Sequence, residues 1–421
     1  MNYLGRTRLL IVLVLLAACT VPSTATPAPK AAAQLAFEVK EGDQGSIYVL
    51  AIGQEKPYLV ADDIVCMCAD EPLIWSPDGR AIAYLTGTTD KQSLRIVTDI
   101  DEVVKHRYTL SPELVVTSNP AWNPTDASLV FSARWNGKED IFVWHLQDNA
   151  WQDLTTNVTG ASRFPTWSPD GKWIAFSTYP SLAEITPENC PEGCLGNLYI
   201  MRADGTGIFK VSNFDVASRR TGRAFEECHP LWSPDSQYLA FDVGCNPNAD
   251  PENIYVLDVV RRNLAKATHM EDQPLELVSL TGWLPDDHVV YAIPNIGPGP
   301  LDTLFVSKPD GTDAQKLVSL SPEDSKLDLK DLSWNKQGTQ VVGEVFWHRT
   351  NPETPEIAVL HRDSGEVDFT GVYGSNPRWS PTGDSIAYQD SQGIGLMSAD
   401  QHVVKQLTDY QVDTFAWAPS Q

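Results

Sequence analysis

Short apolar runs recur along most of the chain, and none has a sustained helical period. One series reads AIAYL (81–85), SLVFS (128–132), WIAFS (173–177), YLAFD (238–242), HVVYA (288–292), QVVGEVF (340–346) and SIAYQ (385–389). A second follows each of these: LRIVTD (94–99), DIFVW (140–144), NLYIM (197–201), NIYVL (253–257), TLFVS (303–307), EIAVL (356–360) and GIGLM (393–397). These runs are β-branched and aromatic and are bounded by Pro, Gly, Asp and Asn, so they predict strands. A third, weaker run follows an Asp- or Gly-containing turn such as ADGTG (203–207) or PDGTD (309–313).

Each group of runs opens on a tryptophan and a turn. The turn is intact as WSPDG at Trp75 and Trp167 and degenerate at Trp122, Trp232, Trp283, Trp334, Trp379 and Trp417. Successive tryptophans lie 47, 45, 65, 51, 51, 45 and 38 residues apart, a spacing that signals a repeat architecture. Proline presets φ, Asp bonds the local backbone and Gly takes the positive φ that closes the turn. Where Ser236 and Asp287 replace that Gly, a more strained turn or another type is expected. The tryptophans are expected to pack between neighbouring units.

Seven complete units run from Trp75 to Trp417, and AFEV (36–39), SIYVLAI (46–52) and PYLV (57–60) supply the three strands missing after Trp417. Such sharing of one blade between the two ends closes a ring and removes open edges. The predicted fold class is all-β: a single β-propeller of four-stranded antiparallel blades, eight in number, or seven if one unit merges. The WSPDG–IAF–IYV–LT grammar resembles the TolB-type β-propeller repeat, a WD40-like repeat with a Pro-Asp signature, over residues 35–421. Propellers of that family often have six blades, so eight departs from its pattern.

In an antiparallel blade successive connections alternate between faces. The WSPDG turns and the turns after the second runs share one face. The loops 178–196, 213–229, 244–252, 294–302 and 347–355, which carry nearly all the length variation, share the other. Variable loops on a rigid scaffold favour binding, which makes the long-loop face the expected functional surface.

The first residues look like a bacterial lipoprotein signal. Arg6 and Arg8 precede the apolar run Leu9–Leu16, too short for a membrane anchor, and Ala17-Ala18 precede Cys19. The resemblance implies a signal peptide over 1–18, with lipid on Cys19. Residues 19–34 form a Pro/Ala/Thr-rich tether, and 35–421 the propeller. An ordinary secretory signal is the other reading. Either one places the body outside the cytoplasm: on the cell membrane, or on the outer membrane of a two-membrane cell.

The net charge of −24, or −26 without Arg6 and Arg8, argues against nucleic acid or an anionic bilayer as partner. Apart from Cys19 there are six cysteines, an even number that suits disulfides in an exported protein. Cys228 and Cys245 flank one hairpin, and Cys190 and Cys194 staple the tip of an insertion. A Cys66–Cys68 bridge would be strained, leaving free thiols or a structural metal open.

Three groups of residues are candidate ligand contacts. Arg219, Arg220 and Arg223, beside Glu226, Glu227 and His229, could hold a carboxylate or an acidic sugar, or could neutralise their own loop. Trp135, Trp347 and His348 could stack on a glycan or peptide, or pack between blades. Asn246, Asn248, Asp250 and Glu252 offer oxygen ligands for calcium without EF-hand spacing.

No nucleophile elbow, HExxH or phosphate-cradling loop occurs, and no hydrolase domain accompanies the repeats. Pectin-degrading lyases use a related propeller with a histidine-held metal, so a metal-dependent polysaccharide lyase is the alternative to a binding scaffold. The scaffold reading expects a monomeric, membrane-anchored body without catalytic residues or a cofactor, whose partner is an envelope protein, peptide or glycan.

Overall fold

The alternation of apolar and polar positions is realised as strands throughout the described part of the chain. The computed structural model describes residues 33–41, 44–64, 73–88, 91–100, 105–179, 197–211, 230–243, 253–268, 278–293, 303–319, 325–347, 354–401 and 404–419. Within them lie 33 strands in eight antiparallel sheets and no helix.

Blade 1 joins the two ends of the propeller: β33 (Val412–Trp417) pairs with β1 (Gln34–Glu41), followed by β2 (Gln44–Ala51) and β3 (Tyr58–Ile64). Blade 2 comprises β4 (Ile74–Trp75), β5 (Ala81–Thr86), β6 (Ser93–Thr98) and β7 (His106–Thr109). The first strand of blade 3 is split into β8 (Val115–Val116) and β9 (Ala121–Trp122), both on β10 (Ser128–Trp135), with β11 (Lys138–His145) and β12 (Ala150–Asp153) beyond. Blade 4 is β13 (Ala161–Trp167), β14 (Trp173–Tyr179), β15 (Asn197–Arg202) and β16 (Phe209–Lys210). Blades 5 to 8 repeat the plan, opening at Leu231–Trp232, Ser279–Trp283, Ser325–Trp334 and Ser375–Trp379. The eight-blade expectation holds, and so does closure through a shared blade.

The core is divided among the interfaces between blades. Eight hydrophobic clusters each join two neighbouring blades, from blades 1 and 2 (Ile47, Val49, Trp75, Ile82, Tyr84) round to blades 8 and 1 (Leu35, Phe37, Ala387, Ile394, Phe415). Each repeat tryptophan faces the preceding blade. Its indole N–H also reaches back to the residue before the preceding tryptophan. Trp75 donates to the Ala416 carbonyl (3.1 Å), Trp122 to Ile74 (3.0 Å) and Trp232 to Thr166 (3.3 Å). Trp283 donates to Leu231 (2.9 Å) and Trp417 to Arg378 (3.2 Å).

The turn works largely as its residues dictate, with one addition. The serine after the tryptophan donates to the turn Asp and accepts the N–H five residues on, as when Ser168 Oγ bonds Asp170 Oδ1 (2.7 Å) and the Trp173 N–H (3.0 Å). Ser236 and Asp287 do not change the turn type. They keep its bond to the residue three back and take the same positive φ as Gly171: 63° and 59° against 69°. Their side chains offset the strain by accepting backbone N–H groups from the turn before, Asp170 to Ser236 Oγ (2.9 Å) and Asp235 to Asp287 Oδ1 (3.3 Å).

The LT pair closing many units also has a physical role. Hydroxyls of Thr155, Thr268 and Thr408 accept the N–H of Ile141, Ile254 and Ile394 at 2.9–3.1 Å, where the outermost strand ends and leaves those donors unpaired.

Candidate functional site

The two faces are built differently. On the tight-turn face neighbouring turns abut, so a methyl on Gly171 would meet Thr125 Oγ1 at 2.6 Å and Asn123 Oδ1 at 2.7 Å. The long-loop face is formed where the first strands enter the blades and the second strands leave them, and polar side chains collect there.

At blades 3 and 4 the tight Asn136-Gly137 hairpin, with φ of 50° and 82°, joins β10 to β11. It brings Lys138, Glu139 and Asp140 to the rim. Lys138 Nζ donates to Asp140 Oδ1 (2.6 Å) and to the carbonyls of Thr155 (2.9 Å) and Thr156 (3.1 Å). Thr155 Oγ1 donates to the same Asp140 oxygen at 2.9 Å. Burial, with Asp140 nearby, raises the Asp153 carboxyl above its ordinary range. Glu139 turns to the other side of the sheet and takes Arg163 of blade 4 across the interface at 2.6 Å.

Arg163 is aimed by an irregular strand. The register of β13 slips after Arg163, and Phe164 carries φ 55°, which is costly for an aromatic residue. Blade 8 repeats the device three residues before its own tryptophan. Asn376 has φ 53°, its N–H donates to the buried carboxylate of Glu344 (2.5 Å), and its amide donates to Gln389 (3.2 Å). These bulges add an unpaired residue at the strand's loop end and direct neighbouring side chains at the next blade.

Of the residues singled out from the sequence, the structure places few. Trp135 is half-buried and packs edge-on against Trp151 of its own blade, at 5.4 Å between ring centres. For Trp347 only the backbone is described, paired with Ser325 at the end of its strand. Arg219, Arg220, Arg223, Glu226, Glu227, His229 and His348 lie outside the described residues, as do the calcium candidates Asn246, Asn248, Asp250 and Glu252. So do Cys19, Cys66, Cys68, Cys190, Cys194, Cys228 and Cys245. Among the described residues no group of three His, Cys, Asp or Glu side chains is placed to hold a metal.

Sequence reasoning passed over the Glu139–Arg163 pair and the buried Glu38. Only a charged residue inside an otherwise apolar strand, as in LAFEV, could have drawn attention to Glu38.

Residues 53–181 match the protein-family model described as TolB beta propeller domain. The Tol-Pal system protein TolB of Anaeromyxobacter dehalogenans (strain 2CP-C) is 25% identical over 183 residues, which is 42% of this chain and 37% of that protein. The match thus spans little more than a third of that relative's length.

Two solved structures are similar over most of this chain. An oligogalacturonate lyase in complex with manganese has a TM-score of 0.54 at 15% identity, covering 87% of this chain and 97% of its own. A putative dipeptidyl aminopeptidase IV from Bacteroides ovatus has a TM-score of 0.54 at 10% identity, covering 90% and 61%. At these identities the likeness is one of fold, which hosts many functions.

Proposed function

The repeats are those of a TolB-type β-propeller, and from that premise we propose that this chain is a non-enzymatic binding scaffold outside the cytoplasm. It is held to a membrane through lipid on Cys19 and engages an envelope protein or peptide on its long-loop face. The observation that carries the reading is the sequence match to proteins named as members of the Tol-Pal system. The fold supports it: a ring closed between β1 and β33 holds the loops of eight blades on a rigid frame.

The point where the chain joins the ring adds an orientation. The Ala33 carbonyl accepts the Ile52 N–H at 2.8 Å, beside the turn after β2 on the tight-turn face. An anchor about 14 residues upstream, with a reach of at most about 50 Å, pulls on that face and leaves the long loops directed away from the bilayer.

The test has two arms. Cys19→Ser should move the protein from the membrane fraction to the soluble fraction without changing its melting. Photo-crosslinking side chains placed within 180–196 and 347–353 should capture a specific protein partner, while the same groups at Asp204 and Asp310 on the turn face should not. Metal-dependent cleavage of a polysaccharide by the purified protein, with no such adducts, would replace this reading with the lyase alternative.

A further inference from the structure

The ring of tight turns has one wide opening, between blades 2 and 3. Elsewhere successive turns touch. Asp170 and Asp235 donate backbone N–H groups to the next turn, a methyl on Gly338 would strike Pro285 at 2.6 Å, and Gly79 lies against Ala418 and Pro419. Between Ser76–Arg80 and Trp122–Ala127 there is instead a cavity of about 510 Å³, a size typical of ligand pockets. Its cause is local. The blade 3 turn reads WNPTD, and its Asn123 side chain replaces the usual turn bond with a contact of its own, Oδ1 accepting the N–H and hydroxyl of Thr125, both at 2.9 Å.

We propose that this cleft is a binding site for an extended peptide segment carrying a lysine or arginine, distinct from the long-loop face. Three features of the lining favour that chemistry. The walls are apolar: Pro77, Trp122, Pro124 and Leu146. The polar positions are predominantly acidic, with Asp78, Asp99 and Asp126 against a single cation, Arg80, which is already paired with Asp99 at 3.4 Å. A hydrogen bond from His106 holds the Asp99 carboxyl below its ordinary range, keeping that charge in place.

The third feature is Asn123 itself. It is 4% exposed, lines the cleft and spends its oxygen on Thr125, while its Nδ2 has no hydrogen-bond partner. A buried amide donor left unmatched is costly, and a backbone carbonyl of a peptide would satisfy it. The set therefore provides a carbonyl contact from Asn123, carboxylates for a cationic side chain, and an apolar surface for its stem and flanks.

The probe is a series of capped nine-residue peptides with leucine and proline flanks and a central lysine, arginine, norleucine or glutamate. Binding to the full chain is followed by fluorescence polarisation. The lysine and arginine peptides should bind, with norleucine at least about tenfold weaker, about 1.4 kcal/mol, and glutamate not detected. Ala127→Lys, which adds a cation at an exposed position in the cleft lining, should abolish binding, and Asp126→Asn should weaken it several-fold. Deletion of residues 182–194 on the opposite face should leave it unchanged, so a failed long-loop partner and a failed cleft are read separately.

The proposal is overturned if none of the peptides binds, if the glutamate peptide binds as well as lysine, or if Ala127→Lys has no effect on a protein of unchanged melting. It is also overturned if calcium chloride alone titrates into the cleft and Ala127→Lys removes that binding.

Discussion

The indole Nε1 of Trp75 lies 3.1 Å from the carbonyl oxygen of Ala416, a residue 341 positions away. Both belong to the seam where the two ends of the chain meet, with β1 on one side and β33 on the other. The bond is one link in a series running from blade to blade around the ring, so the seam is held like an ordinary interface between consecutive blades.

Removing the last link should therefore open the ring. Deletion of Trp417–Gln421 takes away the indole that bonds Arg378 and the Trp417 pairing to Leu35. Urea unfolding should show a cooperative loss of the whole domain, and an unchanged midpoint would refute a ring held by this seam. Trp75→Phe is milder. It keeps most of the packing but leaves the Ala416 carbonyl without its donor, a cost of about 1–2 kcal/mol.

Two glycines at the same turn position should respond differently to alanine. Gly79 and Gly171 have φ of 66° and 69°, so both substitutions place a Cβ in left-handed backbone at about 1–2 kcal/mol. At Gly79 the new methyl has its nearest neighbours at 3.7 and 3.8 Å, whereas at Gly171 it falls 2.6–2.7 Å from Thr125 and Asn123. Gly171→Ala should thus destabilise more than Gly79→Ala, by about 1–3 kcal/mol of overpacking. Equal losses would mean that the turns slide freely over one another.

The contrast shows what the sequence could and could not disclose. Blade number, closure and the role of the tryptophans were legible because each rests on a pattern repeated eight times and governed by local chemistry. The strain expected at Ser236 and Asp287 was legible too, but its compensation was not, because each side chain bonds a turn in another blade, 66 and 52 residues away. The cleft beside Asn123 was invisible for the same reason: it depends on two turns failing to meet. Trp135 looked like an exposed platform in RWNGKED, yet it packs on Trp151, a contact set by the pairing of three strands. Most of the residues expected to bind ligand lie in insertions that have no repeat to define them.

Glu38 makes stability depend on pH. It is 0% exposed within β1, neither carboxylate oxygen has a hydrogen-bond partner, and burial, with Asp413 nearby, pushes its pKa up to about 7 from 4.5. Below about pH 4.5 it is protonated whether the chain is folded or not, and it costs nothing. Between 4.5 and 7 the unfolded chain ionises while the folded one keeps its proton, so stability falls as pH rises. Above 7 the loss levels off, at most about 3 kcal/mol. Glu38→Gln should gain on the wild type as pH rises through that window, with no advantage near pH 4. Parallel urea curves at pH 5, 7 and 8.5 check this, and a gap that does not change with pH would contradict it.

Arg163 and Glu139 allow the strained strand of blade 4 to be tested directly. Glu139 is 7% exposed and its Oε1 has no hydrogen-bond partner, so its charge depends heavily on the guanidinium 2.6 Å from its other oxygen. Arg163→Met keeps much of the stem but strands the carboxylate, which should cost about 1–3 kcal/mol; the value is discounted because Arg163 is itself 40% exposed on its side chain. The loss should shrink at acidic pH, where Glu139 in the variant can take up a proton. Adding Glu139→Leu should recover most of the stability, since two apolar side chains can occupy an interface already formed by Val130, Ile141 and Phe176. If the double variant is as unstable as Arg163→Met alone, the arginine acts instead by holding Phe164 in its left-handed conformation, and Phe164→Gly in the Arg163→Met background should then restore stability.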